Sequence, residues 1–161
     1  MCKILFQTDE NLKTIGTSCF LSSVSTSISI PSSVEKIGEY FLGNCSDITS
    51  VNVDAGNKNY CSVNHSEIID KDKKRLRFAC GDSVVKTEGK VTAILASSLT
   101  SSLTSTILPS SITAVEDWAF YYCNELKYVY YLAGEEEFKK IAVGANNNQL
   151  KKATVHYNYL S

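Results

Sequence analysis

At 161 residues, with 43% apolar and 20% charged side chains, the chain suits one soluble domain with a sizeable core, and its 2 prolines and 8 glycines exclude a collagen-like or proline-rich polymer. A formal net charge of −1 and a pI near 6.1 provide no overall attraction to phosphate backbones or anionic lipid, so no nucleic-acid partner is expected. No apolar run approaches the ~20 residues of a transmembrane helix, and no basic segment leads into a long apolar one near the N-terminus.

The first expected element is an eroded repeat over residues 15–36, in which Ile15, Phe20, Ile28 and Ile30 lead into the turn Pro31-Ser32-Ser33-Val34. A clear repeat over 37–53 follows, with apolar beats at Ile37, Leu42, Cys45, Ile48, Val51 and Val53. Its end alternates as a strand with one face inward. Residues 54–90 interrupt the rhythm. Asp54, Gly56 and Asn57 open a loop, and Ile68-Ile69 and Leu76-Arg77-Phe78 then flank a polar tip, as in a β-hairpin that covers a sheet edge. A second eroded repeat is expected over 94–114, from Ile94 through Leu99 to Pro109, and a second clear one over 115–132. The remainder, 133–161, reads as a cap. Acids at Glu135 to Glu137, lysines at Lys139 and Lys140 and a closing Gly144 predict a short helix; Asn146 to Asn148 predict a turn, and Val155, Tyr157 and Tyr159 an edge strand.

The repeat rests on a gapless alignment. Ile37, Leu42, Cys45, Ile48, Val51 and Val53 occupy the same offsets as Val115, Phe120, Cys123, Leu126, Val129 and Tyr131, and each block follows Pro-Ser-Ser plus an apolar residue. Ile15 to Ile37 spans 22 residues and Ile94 to Val115 spans 21, within the range of about 20–29 for leucine-rich repeats. Such units bury their apolar side only by stacking, so equivalent residues should form ladders and the strands a parallel sheet. The expected fold is therefore α/β leaning β-rich: a single solenoid domain of stacked short parallel strands, with a hairpin insertion and a helix-plus-strand cap. Ser50, Asn52, Lys127, Tyr128 and Tyr130 fall on the outward face and form the candidate binding surface, although the tyrosines alternatively only stack along the sheet.

The blocks IGEYFLGNC and EDWAFYYC, with Ile-Pro-Ser-Ser-Val before the first, resemble the BspA-like leucine-rich repeat proteins over about residues 12 to 160. The pattern departs at Phe41-Leu42 and Cys19-Phe20, and Ser23 and Ser102 stand where the eroded copies would carry the ladder cysteine. The resemblance implies that Cys45 and Cys123 are buried, unbonded thiols. It also implies an extracellular or cell-surface location and an interaction role, with a host or matrix protein or a surface glycan as partner. A purely structural spacer is the alternative, and a glycan-acting hydrolase a more distant one.

No catalytic residue, cofactor or metal site is expected. The 6 cysteines include no CxxC pair and no zinc-ligand spacing, and whether Cys61 and Cys80, which flank the hairpin, are bonded is left open. Only His65 and His156 are available as imidazole bases, and both read as surface residues. Lys71, Lys73, Lys74, Arg75 and Arg77 form a candidate basic patch. The favoured reading is a solvated hairpin tip partly neutralised by Asp70 and Asp72, against an anion or glycosaminoglycan site.

Overall fold

A computed structural model describes residues 3–5, 11–72, 74–80, 91–95, 99 and 102–159. Cys2, Lys73 and residues 81–90 of the insertion lie outside them. The first half contains β1 (Lys3–Leu5), β2 (Thr14–Ile15), β3 (Ser27–Ile30), β4 (Lys36–Ile37) and β5 (Ser50–Val53). The insertion supplies β6 (Tyr60–Val63), β7 (Glu67–Asp70) and β8 (Arg75–Ala79). The second half contains β9 (Ala93–Ile94), β10 (Ser105–Leu108), β11 (Ala114–Val115), β12 (Tyr128–Tyr131), α1 (Glu135–Phe138), β13 (Ala142–Val143), α2 (Asn148–Lys152) and β14 (Thr154–His156).

Each half is a β-solenoid built on two parallel ladders. In the first, β1-β3-β5 forms one ladder and β2-β4 the other; in the second, β10-β12-β14 and β9-β11-β13 play the same parts. The rungs are in register, so Ile28 meets Val51, Ile30 meets Val53, Thr106 meets Val129 and Leu108 meets Tyr131. These residues point inward with Cys45 and Cys123, which are fully buried, as the stacking of equivalent positions requires. Gly38 shows how close the rungs lie. A Cβ there would stand 2.7 Å from the backbone carbon of Gly16 and collide with the backbone of Thr17.

The insertion is a three-stranded antiparallel meander, with β6 on β7 and β7 on β8. The strand over Tyr60–Val63 was not expected from the sequence. Its partners explain it: the hydroxyl of Tyr60 accepts from Ile37 N at 3.0 Å and Ser62 Oγ accepts from Val53 N at 3.1 Å, so it closes the open edges of the first half. On the other side β8 joins β9 in parallel and extends the second half's short ladder. The meander is buried on both faces. Tyr60, Ile68, Phe78 and Cys80 enter the first core, whereas Ile69, Leu76 and Ala79 enter the second. Phe78 meets Phe41 edge to face at 6.0 Å. The insertion thus does more than cover one sheet edge; it joins two cores.

The C-terminal segment corrects two sequence expectations. The helix is four residues long rather than spanning Gly134 to Gly144, because Ala142 and Val143 pair with Ala114 and Val115 as the next rung of the short ladder. Gly144 is required by this rung and not by a helix end, since a Cβ would strike the side chain and backbone of Asp117. The turn expected over Asn146 to Asn148 is present but confined to Ala145 and Asn146, and Asn148 already begins a second short helix that buries Leu150. The strand at 154–156 pairs in parallel with β12.

Two buried asparagines clamp the loops between rungs. The Asn57 amide nitrogen donates to the carbonyls of Pro31 at 2.9 Å and Val34 at 3.0 Å, and its oxygen accepts from Asn59 N and Tyr60 N. Asn147 donates to the carbonyls of Glu116 at 2.9 Å and Gly144 at 3.1 Å and accepts from Phe120 N at 2.9 Å. Both are almost fully buried with donors and acceptors engaged, as buried amides must be.

Candidate functional site

Because successive residues of a strand face opposite ways, the inward course of Val129 and Tyr131 sends Tyr128 and Tyr130 outward on β12. The register then fixes their neighbours. Tyr128 lies beside Ser105 and Thr154, and Tyr130 beside Ile107 and His156. Tyr130 stacks on His156 with ring centroids 5.1 Å apart and planes 16° apart, and it meets Tyr159 at 4.7 Å. Tyr128 is 5.9 Å from the same imidazole and 6.4 Å from Tyr130. Tyr130 is half-buried, but Tyr128 and Tyr159 remain 44% and 36% exposed. The result is a solvent-facing aromatic row on one three-stranded sheet.

The sequence placed Tyr128, Tyr130 and His156 outward, but it did not join them or add Tyr159. Alternation alone cannot show that residue 130 sits against residue 156; that follows from the parallel register of β12 and β14. Lys127 is exposed at the entry to this face. Ser50 and Asn52 are elsewhere. They project from β5 of the first half, next to Ser27 and Ser29, so that face is polar and lacks rings on the described rungs β3 and β5.

The basic cluster is largely tied to the protein. Lys71 Nζ donates to Asn57 O at 2.6 Å, Arg75 pairs with Glu116 at 3.2 Å, and Arg77 pairs with Asp70 at 3.6 Å with both side chains 12% exposed. Lys74 is exposed, and Lys73 lies outside the described residues. Three of the five cations are therefore engaged within the protein: Lys71 and Arg75 tie the meander to its surroundings, and Arg77 pairs inside it.

A groove of about 660 Å³ runs between the short ladder of the first half and the meander, past Lys36, Gly38, Tyr60, Asp70 and Arg77. A second, of about 470 Å³, lies between Glu39, Tyr40, Glu116, Asp117 and Trp118. Neither reaches the aromatic row. Cys19, Cys45, Cys61, Cys80 and Cys123 are not disulfide-bonded. Burial pushes the thiols of Cys80 and Cys123 up to about 12 and that of Cys45 upward too, which opposes thiolate chemistry. Among the described residues no group of three or more His, Cys, Asp and Glu could hold a metal ion, and no helix is long and apolar enough to cross a membrane.

Parallel in-register ladders closed by short loops and few helices define a β-rich solenoid of the leucine-rich-repeat class. The chain belongs to the BspA-type leucine-rich repeat family, whose model matches residues 3–67 and 83–159 in six copies. Among solved structures it is similar to a leucine-rich repeat protein from Eubacterium ventriosum, at 18% identity and a TM-score of 0.59 over 90% of this chain and 45% of that one. It is also similar to the pneumococcal vaccine antigen PcpA, at 17% identity and a TM-score of 0.53 over 93% of this chain and 49% of that one. A leucine-rich cell surface protein from Faecalibacterium prausnitzii has 14% identity and a TM-score of 0.40, over 83% of this chain and 55% of that one. The chain spans about half the length of these structures, and for the first two the likeness is one of fold. No curated protein sequence matches it.

Proposed function

We propose that this chain is a non-enzymatic interaction module of a cell-surface protein, engaging a host or matrix protein or a surface glycan through the outward face of β12 and β14. The observation that carries this reading is the row Tyr128, Tyr130, His156 and Tyr159, which keeps large ring area in solvent although β12 buries its inward residues Val129 and Tyr131 almost completely. Exposed aromatics on a rigid sheet are suited to recognition because their burial is favourable and few torsions need be frozen. The family and the resemblance to PcpA support a surface role.

A structural spacer is the competing reading, favoured by the half-buried state of Tyr130, whose stacking on His156 is itself sheet packing. Binding to arrays of immobilised matrix proteins and glycans separates the two. A wild-type signal abolished by Tyr128→Ala with Tyr130→Ala supports the contact surface; arrays negative throughout favour the spacer. Turnover of a polysaccharide panel would overturn both.

A further inference from the structure

The lysines beside the aromatic row define the chemistry of its partner, an inference that rests on the contact surface just proposed. Thr154 N donates to Lys127 O at 2.8 Å, which brings Lys127 and Tyr128 on one rung close to the end of α2 and the start of β14 on the next. Lys151 and Lys152 form the last turn of that helix. All three lysines are exposed, and among the described residues none has an ion-pair partner. The lysines of α1's exit differ in this respect, since Lys139 pairs with Glu135 and Glu136 and Lys140 with Glu137. An uncompensated trio of cations thus borders an exposed aromatic face.

We propose that this face binds a carboxylate-bearing polysaccharide, its sugar rings lying on Tyr128 and Tyr159 and its carboxylates met by Lys127, Lys151 and Lys152. The π faces of the tyrosines carry negative partial charge and attract the weakly positive C–H faces of sugar rings. Their hydroxyls can both donate to and accept from sugar hydroxyls. Tyr128 and Tyr159 each meet Tyr130, at 6.4 and 4.7 Å with planes tilted by 31° and 43°, so two exposed rings stand close together for a chain of sugar rings. Because the lysines are exposed, their contribution is screened by salt and the interaction should be salt-sensitive.

The test uses the full chain and two probes, polygalacturonate and its methyl-esterified form, which have the same backbone with and without charge. The acidic polymer should bind at least about tenfold more tightly than the ester, with affinity falling as salt is raised. Joint replacement Lys127→Gln, Lys151→Gln and Lys152→Gln should lose about tenfold with an unchanged melting temperature, and Tyr128→Ala with Tyr159→Ala should also lose binding. Equal binding of acid and ester, or full binding by the lysine variant, overturns the inference. If neither polymer binds while a matrix protein does so in a Tyr128- and Tyr130-dependent way, the polysaccharide is excluded and the contact surface stands. Polygalacturonate binding unaffected by any of these variants overturns both.

Discussion

The backbone N–H of Ile37 donates to the hydroxyl of Tyr60 at 3.0 Å, and this bond ends the short ladder of the first half. The next rung would ordinarily take that N–H, but the insertion stands in its place and substitutes a side-chain oxygen from β6. Tyr60 is 5% exposed, so water cannot readily replace its hydroxyl. Tyr60→Phe keeps the ring and strands the donor, which should lower stability by about 1–3 kcal/mol. Urea denaturation would show this as a reduced midpoint with an unchanged slope; a midpoint equal to wild type would mean that the edge finds another acceptor.

Gly16 and Gly38 occupy equivalent positions, yet their neighbourhoods differ. A Cβ on Gly38 collides with the rung before it, whereas one on Gly16 meets nothing within 4 Å among the described residues. Gly38→Ala is expected to cost about 1–3 kcal/mol through forced separation of rungs. Gly16→Ala should be neutral or stabilising by up to about 1 kcal/mol, because it reduces the freedom of the unfolded chain. Paired thermal melts of the two variants decide the matter, and equal losses would refute the rung-spacing argument.

Thr106 sits at an inward ladder position beside Val129, 1% exposed, and its hydroxyl has no hydrogen-bond partner among the described residues. Valine fits the same volume without the desolvated oxygen. Thr106→Val is therefore expected to raise stability by about 1 kcal/mol, measurable as a higher denaturation midpoint. A lower midpoint would indicate that the hydroxyl is satisfied in solution.

Burial raises the thiols of Cys80 and Cys123 to about 12, with the charge of Glu67 adding to the effect at Cys80. An unfolded cysteine titrates near 8.5. Between that value and about 12 the unfolded chain releases protons that the folded chain retains, so stability should fall as pH rises through this window. A Cys80→Ala and Cys123→Ala double variant should show a shallower decline in urea midpoint over the same range. In the native state iodoacetamide should modify exposed Cys19 and spare Cys45, Cys80 and Cys123 until the chain unfolds. Rapid native labelling of Cys123 would contradict its packing role.

The ladder residues were legible because their signal is local and repeated. Ile37 and Val115, Cys45 and Cys123, and Val51 and Val129 recur at matched offsets, and all six are buried. The hairpin tip was visible for the same reason, as two apolar runs around a polar one. Asn57 was read as a turn residue and Asn147 as part of a turn, but nothing local distinguishes a solvated amide from one that clamps carbonyls 23 and 31 residues away. The basic cluster likewise looked like one patch until Arg75 met Glu116, 41 residues on.

Alternation and spacing belong to the covalent chain, so the inward and outward faces and the stacking of repeats are legible in the sequence alone. Partnership across rungs is another matter. Which ring Tyr130 stacks on, which edge Tyr60 closes and which lysines lack a counter-charge are set by the register in which distant segments are packed together. That register is fixed by burial and hydrogen bonding across the whole core, so the tertiary structure decided the composition of the candidate surface.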